Sequence, residues 1–309
     1  MIEKQFCAQV SRDAQEPFLG TAPRVDIWFL LEYTGTWGSS AIEDSLLPDR
    51  VKGWIARSSQ LFPHFRAQLI RQQTPSEQAI TCFIGIAQEN RQLLYRFQLE
   101  SYENLLTLNM AALIAGDPCY DEYVFHDPLF LICTHGKHDL CCSKFGMPVY
   151  LEAVKQGGEC AWQTSHLGGD KFAANMLCLP HGIYYGRVIV LEVEAIIANY
   201  RKNMLYMEKY RGRTCYTLIE QVAEHFLRII TNKHAINILQ LLAMQHEGNE
   251  TYKVSFRSLQ DSKIYRLTII REIKETCFDT TCNAKGKNKT SYYQLSRYEV
   301  LEEVVVGST

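Results

Sequence analysis

The first clear pattern is Val25-Asp26-Ile27-Trp28-Phe29-Leu30-Leu31-Glu32-Tyr33, a nearly unbroken apolar run that predicts a strand. A helical stretch is expected near 43–59, with Leu46-Leu47-Pro48 placed to break it or to start it. Three β-like runs follow at 65–71, 79–87 and 91–99. The apolar set Leu105, Leu106, Leu108, Met110, Leu113 and Ile114 then favours helix from Tyr102 to Ala115. The predicted order is βαβββα.

Residues 128–205 repeat that order. A buried strand Leu129-Phe130-Leu131-Ile132 leads into a loop through Cys142, a helix over 147–156 and a strand from Ala161 to Ser165. A hairpin of 175–179 with 183–188, turning at Pro180-His181-Gly182, precedes a helix from Glu192 to Lys202. This is the thioredoxin-like order, in which the loop after the first strand presents cysteines at the mouth of the sheet. Two such halves are expected, although their sequences show no clear repeat.

From 215 onward the pattern predicts an amphipathic helix carrying Leu218, Ile219, Val222, Phe226, Leu227 and Ile230, and a second helix over 234–245. Alternating runs at 251–259, 263–272 and 291–298 complete a small tail. The expected fold is therefore α+β, a thioredoxin-like ferredoxin domain preceded by a similar α/β half and followed by a small α+β tail. Its segments are 1–120, 121–210 and 211–309, the last a helical pair plus strands.

Composition narrows the class of protein. The 309 residues are 47% hydrophobic and 21% charged, which excludes collagen-like and disordered chains. Lys+Arg 32 against Asp+Glu 34 leaves a formal charge of -2, without the basic face that nucleic acid or anionic lipid needs. No apolar run approaches the roughly 20 residues that span a bilayer. Met1-Ile2-Glu3-Lys4-Gln5-Phe6-Cys7 has no basic start and no apolar stretch of the signal-peptide kind, so the expected compartment is cytoplasmic. Lys285-Gly286-Lys287-Asn288-Lys289 reads as a solvated loop, the alternative being a docking patch for an acidic redox partner.

Eleven cysteines are many for a reducing compartment, and the odd number argues against a complete disulfide framework. The densest set of donor side chains is Cys133-Thr134-His135-Gly136-Lys137-His138-Asp139-Leu140-Cys141-Cys142, followed by Ser165-His166-Leu167-Gly168-Gly169-Asp170. Thiolate and imidazole suit iron, zinc or copper, and paired glycines let backbone close around a site. A structural zinc prefers cysteines two to four residues apart, a spacing absent from this stretch.

The eight residues between Cys133 and Cys142, and the His-x-Gly-Gly element that follows twenty-three residues later, resemble the C-x8-C … H-x-G-G-H signature of the sucrase/ferredoxin-like proteins. Cys133-Thr134-His135-Gly136-Lys137, Phe172-Ala173, Tyr185-Gly186-Arg187 and the upstream Glu16-Pro17-Phe18-Leu19-Gly20-Thr21-Ala22-Pro23 extend the resemblance over most of the chain. It implies a thioredoxin-like ferredoxin whose [2Fe-2S] cluster has two Cys and two His ligands. Carried over residue by residue, Cys133, Cys142 and His166 are ligands, and Asp170 stands where the family has its second His. Three outcomes stay open there. Asp170 coordinates through oxygen, His135, His138 or His181 takes the fourth position, or the cluster is labile or lost.

The other residues have plainer readings. Cys141 is expected to pack behind the loop, and His135 and His138 to bond locally or to donate towards cluster sulfur. Arg187 and Lys171 read as solvated or ion-paired, and Cys7, Cys215 and Cys282 as thiols with no donor group nearby. The expected function is that of an iron–sulfur protein acting as one-electron carrier or redox sensor, with a redox protein as donor or acceptor and neither nucleic acid nor membrane as partner. The alternative is a thiol–disulfide oxidoreductase on the same fold with Cys141 or Cys142 as nucleophile, weakened by the lack of C-x-x-C. A glycosidase, suggested only by the family's name, comes last, because nothing marks the carboxylate pair it needs.

Overall fold

The structure is a computed structural model that describes residues 6–73, 79–276, 281–282 and 288–301. Cys277 and most of the basic run at 285–289 lie outside the described residues. After a short helix α1 (Cys7–Asp13), the chain forms β1 (Ile27–Glu32), α2 (Asp49–Leu61), β2 (Phe65–Arg71), β3 (Ile80–Ala87) and β4 (Gln92–Leu99). α2 begins directly after Pro48, which settles that proline as a helix start. β1 lies parallel to β2 and antiparallel to β3, and β4 pairs with β3.

The region expected to be one helix over 102–115 is divided. A 3-10 turn (Tyr102–Thr107) is capped by Ser101 with Asn104, and α3 (Met110–Ala115) restarts where the Asn109 side chain accepts the Ala112 N–H. Each Asx or Ser side chain satisfies backbone donors locally and so ends one helical segment and begins another.

The second half is β5 (Leu129–Cys133), α4 (Leu140–Gly157), β6 (Ala161–Thr164), β7 (Met176–Leu179), β8 (Ile183–Tyr185) and α5 (Val193–Arg201). β5 is parallel to β6 and antiparallel to β7, with β8 on β7, so both halves share one connectivity. They join where β2 pairs antiparallel with β6 through Ile70↔Thr164 and Arg71↔Gln163. With β9 (Tyr210–Arg213) on the far edge, the result is a nine-stranded sheet of order β4-β3-β1-β2-β6-β5-β7-β8-β9.

Alternation along the two central strands distributes the core. Ile27, Phe29 and Leu31 of β1 face α2, while Phe130 and Ile132 of β5 face α4 and α5. The opposite residues, Trp28 and Leu30 with Leu129, Leu131 and Cys133, share a third core in which Phe83 meets Trp162 edge to face. Each central strand is thus apolar on both faces, as its sequence requires.

α4 starts seven residues before the expected 147. Met147-Pro148 imitates a helix start, but Asp139 accepts the Cys141 N–H at 2.8 Å and caps the helix there, so Cys141 and Cys142 lie in its first turn rather than in a loop.

The tail also departs from expectation. α6 (Leu218–Thr231) forms and ends at Asn232 in a left-handed conformation, but 234–245 makes no second helix. β10 (Leu239–Gly248) turns at Asn249-Glu250 and pairs with β11 (Thr251–Ser258), and β12 (Ile264–Thr276) and β13 (Asn288–Leu301) complete an antiparallel meander. Cross-strand pairing overrides the helical propensity of Leu241-Leu242-Ala243-Met244. The expected helical pair is therefore one helix on a four-stranded sheet among the described residues. The boundary drawn at 210 falls inside β9, whose strand belongs to the large sheet. No described helix is long and apolar enough to cross a membrane.

Two tests follow from this packing. A Cβ on Gly146 would lie 1.9 Å from the Cys133 carbonyl oxygen, a backbone atom that cannot turn aside. Gly146→Ala is expected to destabilise the protein by about 2 kcal/mol in urea unfolding, while Gly53→Ala in α2, with its nearest neighbour the mobile end of Arg57 at 3.4 Å, is expected to hold or gain stability.

Burial, helped by nearby Arg213, lowers the His181 pKa to about 4, and its ring bonds the Tyr200 hydroxyl at 2.7 Å. Between about 6.5 and 4 the unfolded chain therefore binds the proton that the folded chain refuses, and stability falls as pH drops through that window. His181→Asn is expected to flatten that loss by about 1–2 kcal/mol, read as the difference between urea midpoints at pH 7 and pH 4.5.

Candidate metal centre

Cys133 closes β5, Cys142 lies in the first turn of α4, and His166 and Asp170 lie in the loop after β6. The topology brings all four together. The sulfurs of Cys133 and Cys142 and a ring nitrogen of His166 lie within 4.8 Å of one another. Cys142 donates to Asp170 Oδ1 at 3.2 Å and lies 3.9 Å from His166 Nδ1, while His166 Nδ1 meets Asp170 Oδ1 at 3.0 Å.

The loop that carries His166 and Asp170 is held from three sides. Its backbone needs left-handed φ of +99° and +80° at Gly168 and Gly169, which glycine adopts without a steric penalty. Arg211, buried on β9, donates to the Gly168 carbonyl at 3.3 Å, to Asn175 Oδ1 at 2.6 Å and to the Thr21 carbonyl at 2.7 Å. Asn175 in turn donates to the Gly169 carbonyl at 2.8 Å. From the first half, Arg66 and Gln68 of β2 donate to the His166 carbonyl at 2.9 and 3.1 Å.

The electrostatics favour anionic sulfur at Cys133. Cys133 and Cys142 are pushed in opposite directions. The hydrogen bond from Cys142, followed by those of His166 and the His135 N–H, pulls the Cys133 thiol well down, and the same contact with burial pushes Cys142 up. Burial opposes charge on His166, but its bonds to Asp170 and Cys133 outweigh this and raise its pKa to about 9. Burial likewise opposes the Asp170 carboxylate, and His166 together with Cys142 brings it below its ordinary value.

The three histidines considered for the fourth position have different fates. His135 donates Nε2–H to the Gly38 carbonyl at 2.6 Å and accepts the His166 N–H on Nδ1 at 3.2 Å, so both its nitrogens are engaged. His138 bonds the Ser39 carbonyl at 3.2 Å and stacks on His166 with ring centres 3.7 Å apart, within reach of His166 and Asp170. His181 is occupied by Tyr200 at the hairpin turn and joins no donor group among the described residues.

One expectation is corrected. Cys7 and Cys282 do have donor neighbours, because both meet Cys141, which α4 presents on a different face from Cys142. Lys171 is ion-paired, as expected, and Arg187 is bonded within the fold. Arg187 donates to Ser11 and to the Glu16 carbonyl, and Lys171 pairs with Glu16 at 2.5 Å, tying down the segment after α1.

Reading the sequence alone misses Arg66, Gln68, Asn175 and Arg211. Each lies far along the chain from the cysteines, and no spacing marks a strand arginine as a partner of a glycine loop.

These donors are soft or borderline sulfur and nitrogen with one carboxylate, a set that can hold iron or another transition metal. A sequence relative, the "Altered inheritance of mitochondria protein 32" of Meyerozyma guilliermondii, is 29% identical over 109 residues, which are 30% of this chain and 37% of that protein. The match therefore spans little more than a third of the relative's length. No solved structure matches the chain. A family model described as sucrase/ferredoxin-like matches residues 18–212, a span that contains Cys133, Cys142, His166, Asp170 and the clamping Arg211. With this match over more than half of its length, the chain belongs to the sucrase/ferredoxin-like family.

Proposed function

We propose that this protein holds a [2Fe-2S] cluster on Cys133, Cys142, His166 and Asp170 and works as a one-electron carrier or redox sensor. The observation that carries the reading is the convergence of two buried thiols, an imidazole and a carboxylate from three separate segments. Two thiolates with nitrogen and oxygen donors suit a cluster that supplies a one-electron couple when bound.

The chain's own residues do the rest. Cys133 and Cys142 are at most 1% exposed, which keeps water from the sulfurs. Loading requires both sulfurs as thiolates and His166 as the neutral imidazole, so the thiol proton and the proton that Asp170 and Cys133 hold on His166 are both released. Arg66, Gln68 and Arg211 hold the His166 loop through its carbonyls and so fix the imidazole without using it. The His166 side chain is 20% exposed and lines, with Ser39, Arg66 and His138, a cleft of about 250 Å3. A redox protein seated on that cleft would exchange electrons through the His166 edge.

A thiol–disulfide oxidoreductase needs a thiolate that another protein's disulfide can reach. Burial of Cys141 and Cys142, the two candidate nucleophiles, and of Cys133 beside them disfavours that reading.

Iron and acid-labile sulfide analysis of anaerobically purified protein is expected to find two of each per chain, with visible absorbance. Cys133→Ser and Cys142→Ser are expected to bleach it, and Cys141→Ser to leave the colour. A carboxylate in place of imidazole makes the site one unit more negative and harder to reduce. The potential should therefore lie between the ≈ -400 mV of four-cysteine clusters and the ≈ -150 to +300 mV of two-histidine ones. Asp170→His is expected to raise it, and Asp170→Ala to bleach the protein. Colour retained in Asp170→Ala would transfer the fourth position to His138, and a colourless parent with a Cys133–Cys142 disulfide would replace the reading with thiol exchange.

A further inference from the structure

Cys7, Cys141 and Cys282 form a second sulfur cluster that the centre just described does not use. Their sulfurs make a closed triangle, with Cys7 to Cys141 3.5 Å, Cys141 to Cys282 3.2 Å and Cys282 to Cys7 3.7 Å. Asp139 completes the group, its Oδ1 lying 4.0 Å from Cys7 Sγ and all four donor atoms falling within 4.8 Å of one another. We propose that these four residues are a zinc site, in which three thiolates and the Asp139 carboxylate bind one Zn2+ that staples the N-terminal helix and the β12–β13 connection to the start of α4.

The dimensions suit that ion. A tetrahedron with Zn–S bonds of about 2.3 Å has edges of about 3.8 Å, and the observed triangle is a few tenths of an ångström smaller. A disulfide, by contrast, would join only two of the three sulfurs, at about 2.05 Å, and leave the third unpaired.

The surroundings are built for negative charge. Asp139 caps the eighteen-residue α4, so the group lies at the positive end of a long helix dipole. Asp139 accepts the Cys141 N–H at 2.8 Å and the Cys282 N–H at 2.6 Å, and the Ala8 N–H points at Cys141 Sγ from 3.5 Å. Cys7, Cys141 and Asp139 are buried, while Cys282 is partly exposed and gives the ion a way in.

The arrangement also explains an otherwise unstable element. α1 has seven residues, too few to persist by its own hydrogen bonds, and Cys7 is its first residue. The three cysteines are separated by 134 and 141 residues, so one ion closes two long loops. Cys141 and Cys142 are consecutive in the first turn of α4 and point about 100° apart, so the helix presents one sulfur to each centre. The spacing rule for structural zinc fails here because the ligands come from three distant segments.

The test is metal analysis in two backgrounds. Protein purified anaerobically as the parent and as Cys133→Ser/Cys142→Ser is expected to hold one zinc per chain in both, because the first centre's thiolates are not involved. Cys7→Ser/Cys282→Ser is expected to lose that zinc while keeping the iron and colour of the parent. Co2+ in place of zinc should give the intense visible bands of a tetrahedral thiolate site, absent from Cys7→Ser/Cys282→Ser. Cys282→Ser alone, at the partly exposed position, guards against misfolding. With unchanged far-ultraviolet circular dichroism it too should lose zinc on dialysis against a chelator. Undiminished zinc in Cys7→Ser/Cys282→Ser would overturn the proposal. So would a parent that neither contains zinc nor binds added Zn2+, or a disulfide between Cys141 and Cys7 or Cys282 in the anaerobic protein.

Discussion

The structure turns on a short antiparallel join between two halves of the same connectivity. β2 and β6 pair through two residues each, and the Ser165 N–H, donating to the Leu69 carbonyl at 2.8 Å, carries the join one step further. This is little hydrogen bonding for so large a consequence. It merges two small sheets into one of nine strands and lets their inner faces share a core that neither half could close alone. Packing in that core, rather than the ladder itself, supplies most of the stability, because buried apolar area outweighs the net value of two or three hydrogen bonds.

The same join explains why donors in the second half depend on the first. The His166 loop leaves β6 just beyond the join, where Arg66 and Gln68 of β2 take its carbonyl, while Gly38 takes the His135 ring that bonds the His166 N–H. β9 closes the other side through Arg211. A loop containing two glycines has much conformational freedom to lose, and this set of buried and half-buried partners removes it before any ligand arrives.

α4 is the second organising element. Its start is set by the Asp139 cap, and its approach to β5 is set by Gly146, against which the Cys133 carbonyl lies. Shifting the helix start to 147 would leave Cys141 and Cys142 in extended or irregular backbone. Starting it at Leu140 makes them consecutive helical residues facing different sides, so neighbours in the chain become members of separate donor groups.

Local pattern alone was enough for the strands of both halves, the hairpin at Pro180-His181-Gly182 and α6, because apolar periodicity and turn chemistry act over a few residues. The resemblance to the family's signature, carried by the eight-residue interval from Cys133 to Cys142 and by the His166 element, pointed to three donors that the fold does bring together. Tertiary structure decided the rest. It placed β10 in a meander where residue propensity favoured helix, because cross-strand partners lie outside any local window. It chose among the histidines by engaging His135 with Gly38 and His181 with Tyr200. It also gathered Cys7, Cys141 and Cys282 from three ends of the fold, a contact that no spacing encodes because it exists only once the chain has closed its longest loops.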